Sequence, residues 1–169
     1  APVPLAAAAK PAANLGTAKP QSNAVQAMVL STVWLRTWPH YDEHGDTGFF
    51  PHAHANVETR GEAVFAARNA IDGIYENDAH GIWPYQSWGI NRDPNAALTL
   101  DFGRPVTIDE LRLTLRADFP HDAWWTQATV EFDDGSREVL ELKKSAAPQC
   151  FAIAPRTVKS LKLFELIKA

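Results

Sequence analysis

Ring-bearing and hydrogen-bonding side chains are concentrated in NAIDGIYENDAHGIWPYQSWG, at residues 69–89. His80, Trp83, Tyr85 and Trp88 occur there within nine residues, and glycine and proline interrupt the run. Gly and Pro break helices and strands, so the sequence predicts a loop in place of an element that carries these rings inward.

A second stretch of the same composition is RADFPHDAWWTQ, at residues 116–127. It mixes charged side chains with two tryptophans, Trp124 and Trp125. Because neighbouring residues of a strand point to opposite faces, we expect one of these two indoles to be in the core.

Flat apolar rings interleaved with polar groups are what saccharide recognition requires. The C–H face of a pyranose stacks on an aromatic ring, and polar side chains satisfy its hydroxyls. An unpaired buried hydroxyl costs roughly 1–3 kcal/mol, so the polar partners give specificity. Individual rings in such positions also plug the end of a core, and that alternative stays open for each. The candidate binding residues are His80, Trp83, Tyr85, Trp88, Asn91, Arg92, Arg116, Asp118, His121 and Trp124.

A histidine-rich segment suggests a different chemistry. His52 and His54 would lie on one face of an extended chain, and His40 and His44 are near them in sequence. Imidazoles with a carboxylate bind zinc or copper. The spacing matches no defined site, so a transition-metal centre is the alternative.

Other reactions and partners have less support in the sequence. The serines lack a nucleophile context, the Asp133-Asp134 pair falls in a turn, and no glycine-rich phosphate loop precedes a helix. A net charge of −4 gives nucleic acid no electrostatic attraction. No apolar run reaches the roughly 20 residues that span a bilayer. Cys150 is the one cysteine, so an internal disulfide is excluded, and we expect it to be buried.

The elements that must position these residues are short strands. ALTLDF, TIDELRLTLRAD, ATVEF, EVLEL, CFAI and VKSLKLFELI alternate apolar and polar residues, and DDGS is a hairpin turn. AVQAMVLSTVWLRTW at 24–38 suits a strand, although its first half also suits a helix. Residues 39–62 are predicted as an irregular excursion, and EAVFAARNAID at 62–72 as one short helix. The sequence therefore predicts an all-β antiparallel β-sandwich with long decorated loops, spanning residues 23–169.

Residues 1–22 are rich in alanine and proline, and we expect a flexible leader or linker there. The composition resembles what remains after a signal peptide is removed, so we expect a secreted or periplasmic protein.

From about residue 60 to 168 the chain resembles the discoidin, or coagulation-factor type C, domains among the galactose-binding-like sandwiches. The resemblance is carried by NAIDG, LTLDFGRPVTIDELRLTLR and ATVEFDDGS, and the bacterial carbohydrate-binding modules are most similar. It implies a jelly roll in which LDF ends one strand at a Gly turn and the next strand returns antiparallel.

The resemblance also implies a structural calcium near the Asp-Gly turn. Asp72 would be a side-chain ligand, with other oxygens from around Asn69 and from residues 75–77, including Asn77. Oxygen ligands on a tight turn suit Ca²⁺.

The family has a closing strand that follows the segment matching residues 158–169, and its glutamate often completes the calcium shell. Glu165 is inside the preceding strand and is not that residue. We expect an open sheet edge near residue 160, where a missing C-terminal strand or a partner chain would pair.

Three hypotheses follow. The first is a non-catalytic carbohydrate-binding module for a saccharide or polysaccharide. The second is an enzyme that acts on a polysaccharide through zinc or copper bound by the histidines, and the third is a protein-interaction module.

Overall fold

The computed structural model describes residues 24–30, 48, 50–74, 85–116 and 124–169, with the first of these ranges described by its backbone alone. Within these ranges, seven strands form one antiparallel sheet. Their bounds are β1 Ala24–Leu30, β2 His52–Ala55, β3 Trp88–Gly89, β4 Leu98–Leu115, β5 Trp125–Phe132, β6 Arg137–Glu141 and β7 Gln149–Lys168. The order is β3-β1-β4-β7-β5-β6, with β2 also on β4. The predicted all-β antiparallel architecture is confirmed.

The long strand β4 organises the sheet. One of its edges pairs with β7, and the other takes β1 at Leu111–Leu115 and β2 at Leu98–Asp101. The expected antiparallel return after LDF is wrong, because both halves of β4 run on in one direction along β7. The Gly103 turn is a bulge instead: the register shifts between Asp101 and Val106, and the Asp101 carboxylate accepts the Gly103 N–H at 2.8 Å.

The alternating leucines form the core as predicted. On β4 and β7 the inward residues Leu100, Leu111, Leu113, Leu161 and Leu163 are almost completely buried. The hairpin between β5 and β6 also forms at the predicted DDGS turn, where Gly135 has a φ of 80°. Alternating apolar and polar residues, with a turn signal between the strands, were sufficient to predict these strands because every inward position belongs to one continuous core.

The predicted helix at 62–72 is wrong. The segment forms three short 3₁₀ turns, Thr59–Gly61, Ala63–Phe65 and Ala67–Ala70. Groups that an α-helix would bond within itself have tertiary partners: the Val64 carbonyl accepts the Ser87 N–H at 3.0 Å, and the Ala67 N–H donates to the Glu58 carboxylate at 2.7 Å.

Two further expectations are corrected. Part of the excursion predicted at 39–62 is strand β2, which binds an edge of β4 and buries Ala53. Cys150 is exposed, because it pairs with the exposed Arg112 on the outer face of the sheet. Within the described ranges, no helix is long and apolar enough to cross a membrane.

Candidate functional site

The two aromatic stretches meet through Tyr85 and Arg116. The Arg116 guanidinium lies 6.0 Å from the centroid of the Tyr85 ring, and its Nη1 donates to the Tyr85 carbonyl oxygen at 3.2 Å. Tyr85 is partly exposed, whereas Arg116 is only 4% exposed. Arg116 follows directly after β4, so the sheet holds it rigidly against the partly exposed ring.

A second contact joins the same two stretches inside the core. Trp88 and Trp125 are 0% and 1% exposed, and their rings meet edge-on with centroids 6.4 Å apart. The Trp88 indole N–H donates to the Val57 carbonyl at 2.9 Å. Trp88 was a predicted binding residue, and this burial assigns it to the core, since a buried indole has no face for a sugar.

Trp124 and Trp125 divide as expected. Trp125 is the buried member, and Trp124, one residue before β5, is partly exposed. The Trp124 carbonyl accepts the N–H of Ala169 at 3.0 Å, which ties the chain end to the start of β5. The predicted binding residues His80, Trp83, Asp118 and His121 lie outside the described residues.

Phe65 and Arg60 extend the Tyr85 cluster and were not among the predicted site residues. The Phe65 ring is 6.5 Å from that of Tyr85, and the Arg60 guanidinium is 5.5 Å from the Phe65 centroid. Arg60 also binds Glu62 through two hydrogen bonds of 2.5 and 2.8 Å. The available signal was Gly61, which marks a turn next to two opposite charges.

Asn91 and Arg92 are exposed in a turn that packs against the Thr59–Gly61 turn through Thr59. Both have left-handed φ values, 49° and 61°, and the Asn91 N–H donates to the Thr59 hydroxyl at 3.0 Å. Gly89 makes this approach possible, because a Cβ there would be 2.4 Å from Thr59 Oγ1. The two turns are therefore packed side by side.

The predicted calcium residues are only partly described. The Asp72 carboxylate accepts the Ile74 N–H at 2.8 Å and a hydrogen bond from Gln86, and burial raises its pKa to about 6. The Asn69 amide donates to the Ala63 carbonyl at 2.9 Å, so this side chain holds the preceding turns together. Asn77 lies outside the described residues.

The alternative histidine site has two described members. His52 is 4% exposed with its ring 4.3 Å from that of Phe50, whereas His54 is exposed. Their centroids are 6.1 Å apart on the extended strand β2. Among the described residues, no three His, Cys, Asp or Glu side chains are grouped as a metal site requires. His40 and His44 lie outside them.

The open edge expected near residue 160 is wrong. Leu161 and Leu163 of β7 pair with β4 on one side and with β5 on the other. Glu165 lies at a bulge of β7 with a φ of 50°, and its carboxylate accepts the Thr129 hydroxyl at 2.7 Å. The Glu165 carboxylate therefore has a hydrogen-bond partner within the sheet.

Comparison with known proteins gives two solved structures of interest. The family 32 carbohydrate-binding module of Clostridium perfringens NanJ, in complex with galactose, is 17% identical with a TM-score of 0.49, and the match covers 69% of this chain and 82% of that one. CpGH89CBM32-5 from Clostridium perfringens, in complex with GalNAc-β-1,3-galactose, is 15% identical with a TM-score of 0.44, covering 67% and 81%. Both are modules of the class that the sequence resembles. No protein-family profile and no curated protein matches the chain.

Proposed function

We propose that the chain is a non-catalytic carbohydrate-binding module whose saccharide lies on the Tyr85 ring. The contact between Tyr85 and Arg116 is the observation that carries the proposal, because it places the end of β4, where the second aromatic stretch begins, against the partly exposed Tyr85 ring. His80 and Trp83 precede Tyr85 in the chain, and Asp118 and His121 follow Arg116, so four more of the predicted binding residues are close to this contact in sequence.

The described groups suit a pyranose. A partly exposed phenol offers an apolar face for C–H stacking, and the guanidinium beneath it restricts the ring's rotation. Asn91 and Arg92 are exposed polar donors on a turn that Thr59 holds. A shallow surface of this kind binds with modest affinity, because little area is desolvated.

A paired truncation tests the proposal. Screening against galactose, N-acetylgalactosamine and polysaccharides, followed by calorimetry, should identify a ligand. Tyr85→Ala should then weaken binding at least about tenfold through the loss of stacking. Phe50→Ala is the matched control, since it removes another partly exposed ring, 46% exposed, on a different segment. Absence of binding to every saccharide tested, or equal losses in both variants, would overturn the proposal.

We further propose that Ca²⁺ stabilises the turn at Asp72. The residues fit a cation: burial raises the pKa of this carboxyl, and the buried Oε1 of its partner Gln86 accepts no hydrogen bond from the described residues. Asp72 would supply a charged oxygen and Gln86 a neutral one, both of the type that Ca²⁺ prefers. The ion would offset the cost of burying the carboxylate.

Thermal unfolding with calcium and with a chelator tests this. Calcium should raise the melting temperature of the parent chain and leave Asp72→Asn unchanged, because the amide lacks the charge. The proposal fails if calcium has no effect on the parent or an equal effect on both. Saccharide binding is measured separately, so the two proposals fail independently.

A further inference from the structure

Strand β6, Arg137–Glu141, is an edge of the sheet. Among the described residues it pairs with β5 alone. The hydrogen bond from the Leu142 N–H to the Thr126 carbonyl, 2.8 Å, shows that the backbone groups of Leu142 point toward β5. In an antiparallel ladder every second residue has its backbone groups on the same side, so those of Glu138 and Leu140 also form hydrogen bonds with β5. The backbone groups of Arg137, Val139 and Glu141 therefore point away from the sheet.

The same three residues present their side chains on the outer face of the sheet. Val139 is 60% exposed, although it lies in a strand whose next residue, Leu140, is buried. The side chain of Arg137 is 55% exposed, and Glu141 is also exposed. An exposed β-branched residue between opposite charges is a surface that another strand can pair with.

We propose that β6 pairs antiparallel with β6 of a second copy of this chain, about a two-fold axis at Val139. In that register Arg137 is opposite Glu141 of the second copy, and the two valines face each other. Arg137, Val139 and Glu141 then all form hydrogen-bonded pairs, because their backbone N–H and C=O groups point away from β5 and toward the second copy. Opposite charges and β-branched pairs across strands both stabilise a sheet.

Other registers are disfavoured by the sequence of β6. A shift by two residues places Val139 opposite Arg137 or Glu141 of the second copy. A shift by four places Arg137 opposite Arg137, or Glu141 opposite Glu141, and like charges across strands are destabilising. Charge complementarity thus selects the register centred on Val139. Because the same strand of both copies pairs about a two-fold axis, the dimer is closed.

Arg137 can take part while keeping its present contacts. Its Nε donates to the Glu131 carboxylate at 2.7 Å, and its guanidinium lies 5.2 Å from the Phe164 ring. The guanidinium has five N–H donors, so the Glu131 contact leaves donors for a second carboxylate. The existing ion pair also holds the side chain on the outer face, which reduces the entropy lost on association.

Five-residue strands bury less area than a standard protein interface, so we expect a dissociation constant above about 1 µM. Sedimentation of the full 169-residue chain between about 10 µM and about 1 mM should show a monomer–dimer equilibrium. The monomer at all concentrations would overturn the proposal.

A charge swap tests the register. Glu141→Arg places two arginines opposite each other and should weaken the dimer at least about tenfold. Arg137→Glu with Glu141→Arg restores opposite pairs across the interface and should recover part of this loss, because the double variant lacks the contact with Glu131. Val139→Lys, at an exposed position, gives a second disruption that spares the core. Melting temperatures confirm folding of each variant. A dimer that survives both Glu141→Arg and Val139→Lys would also overturn the proposal.

Discussion

Trp88 and Tyr85 lie three residues apart in a loop-like sequence, and the structure uses them in opposite ways. Trp88 is sealed in the core with its N–H on the Val57 carbonyl, whereas Tyr85 is partly exposed above Arg116. Each ring contacts the second aromatic stretch, one through Trp125 and the other through Arg116. The buried contact between Trp88 and Trp125 holds the two stretches together, whereas the contact between Tyr85 and Arg116 leaves the Tyr85 ring partly exposed to solvent.

The largest effect should come from the buried contact. Trp88→Ala removes a fully buried indole and leaves a cavity beside Trp125, so the free energy of unfolding should fall by roughly 3–5 kcal/mol. Chemical denaturation measures this loss. Trp88→Phe is the control: it keeps a ring but leaves the Val57 carbonyl without its donor, and should cost about 1–2 kcal/mol. Equal losses in the two variants would contradict a packing role for the indole.

A smaller effect should come from the joint between the two turns near Tyr85. Gly89→Ala places a methyl group 2.4 Å from Thr59 Oγ1 and 3.0 Å from the Phe65 Cβ, so these groups must shift. We expect roughly 1–3 kcal/mol of destabilisation, measured by urea unfolding. Gly48→Ala is the matched control, since a Cβ there meets nothing within 4 Å. A loss in the control as large as that in Gly89→Ala would contradict the steric explanation.

The buried carboxyl of Asp72 should make stability depend on pH, with an effect of intermediate size. Its partner Gln86 lies between Tyr85 and Trp88 in the sequence. Burial raises the pKa of Asp72 from 3.8 to about 6, so the folded chain holds this proton more tightly than the unfolded chain. Without calcium, stability is then greatest below pH 3.8 for this group and is lost as pH rises to about 6. The loss is roughly 1–2 kcal/mol after allowance for partial solvent exposure.

Unfolding in chelator at several pH values measures that loss. The stability of the parent relative to Asp72→Asn should fall by this amount as pH rises, because the amide does not titrate. A difference that stays constant from pH 4 to pH 7 would contradict the raised pKa of Asp72.

The same contrast explains what sequence could predict. The leucines of β4 and β7 and the hairpin at DDGS follow from alternation, which is a local signal. The burial of Trp88 depends on a carbonyl 31 residues away. The 3₁₀ turns depend on a hydrogen bond donated by the Ser87 N–H and on another accepted by the Glu58 carboxylate. Strand β2 forms because an edge of β4 receives it. No local pattern contains those partners, so the sequence indicated which stretches are rich in aromatic rings but not which of these rings is exposed.

The smallest effect on stability should come from Trp124, which permits the sharpest separation of the two roles. Trp124 and Trp125 are neighbours, and only Trp125 is in the core. Trp124→Ala should change the free energy of unfolding by less than about 1 kcal/mol, against roughly 3–5 kcal/mol for Trp125→Ala. Denaturation of both variants checks the difference. If Trp124→Ala also weakens saccharide binding severalfold, the surface extends from Tyr85 to the start of β5. A loss of stability equal to that of Trp125→Ala would place both indoles in the core and would leave Tyr85 without Trp124 as a neighbouring sugar-binding ring.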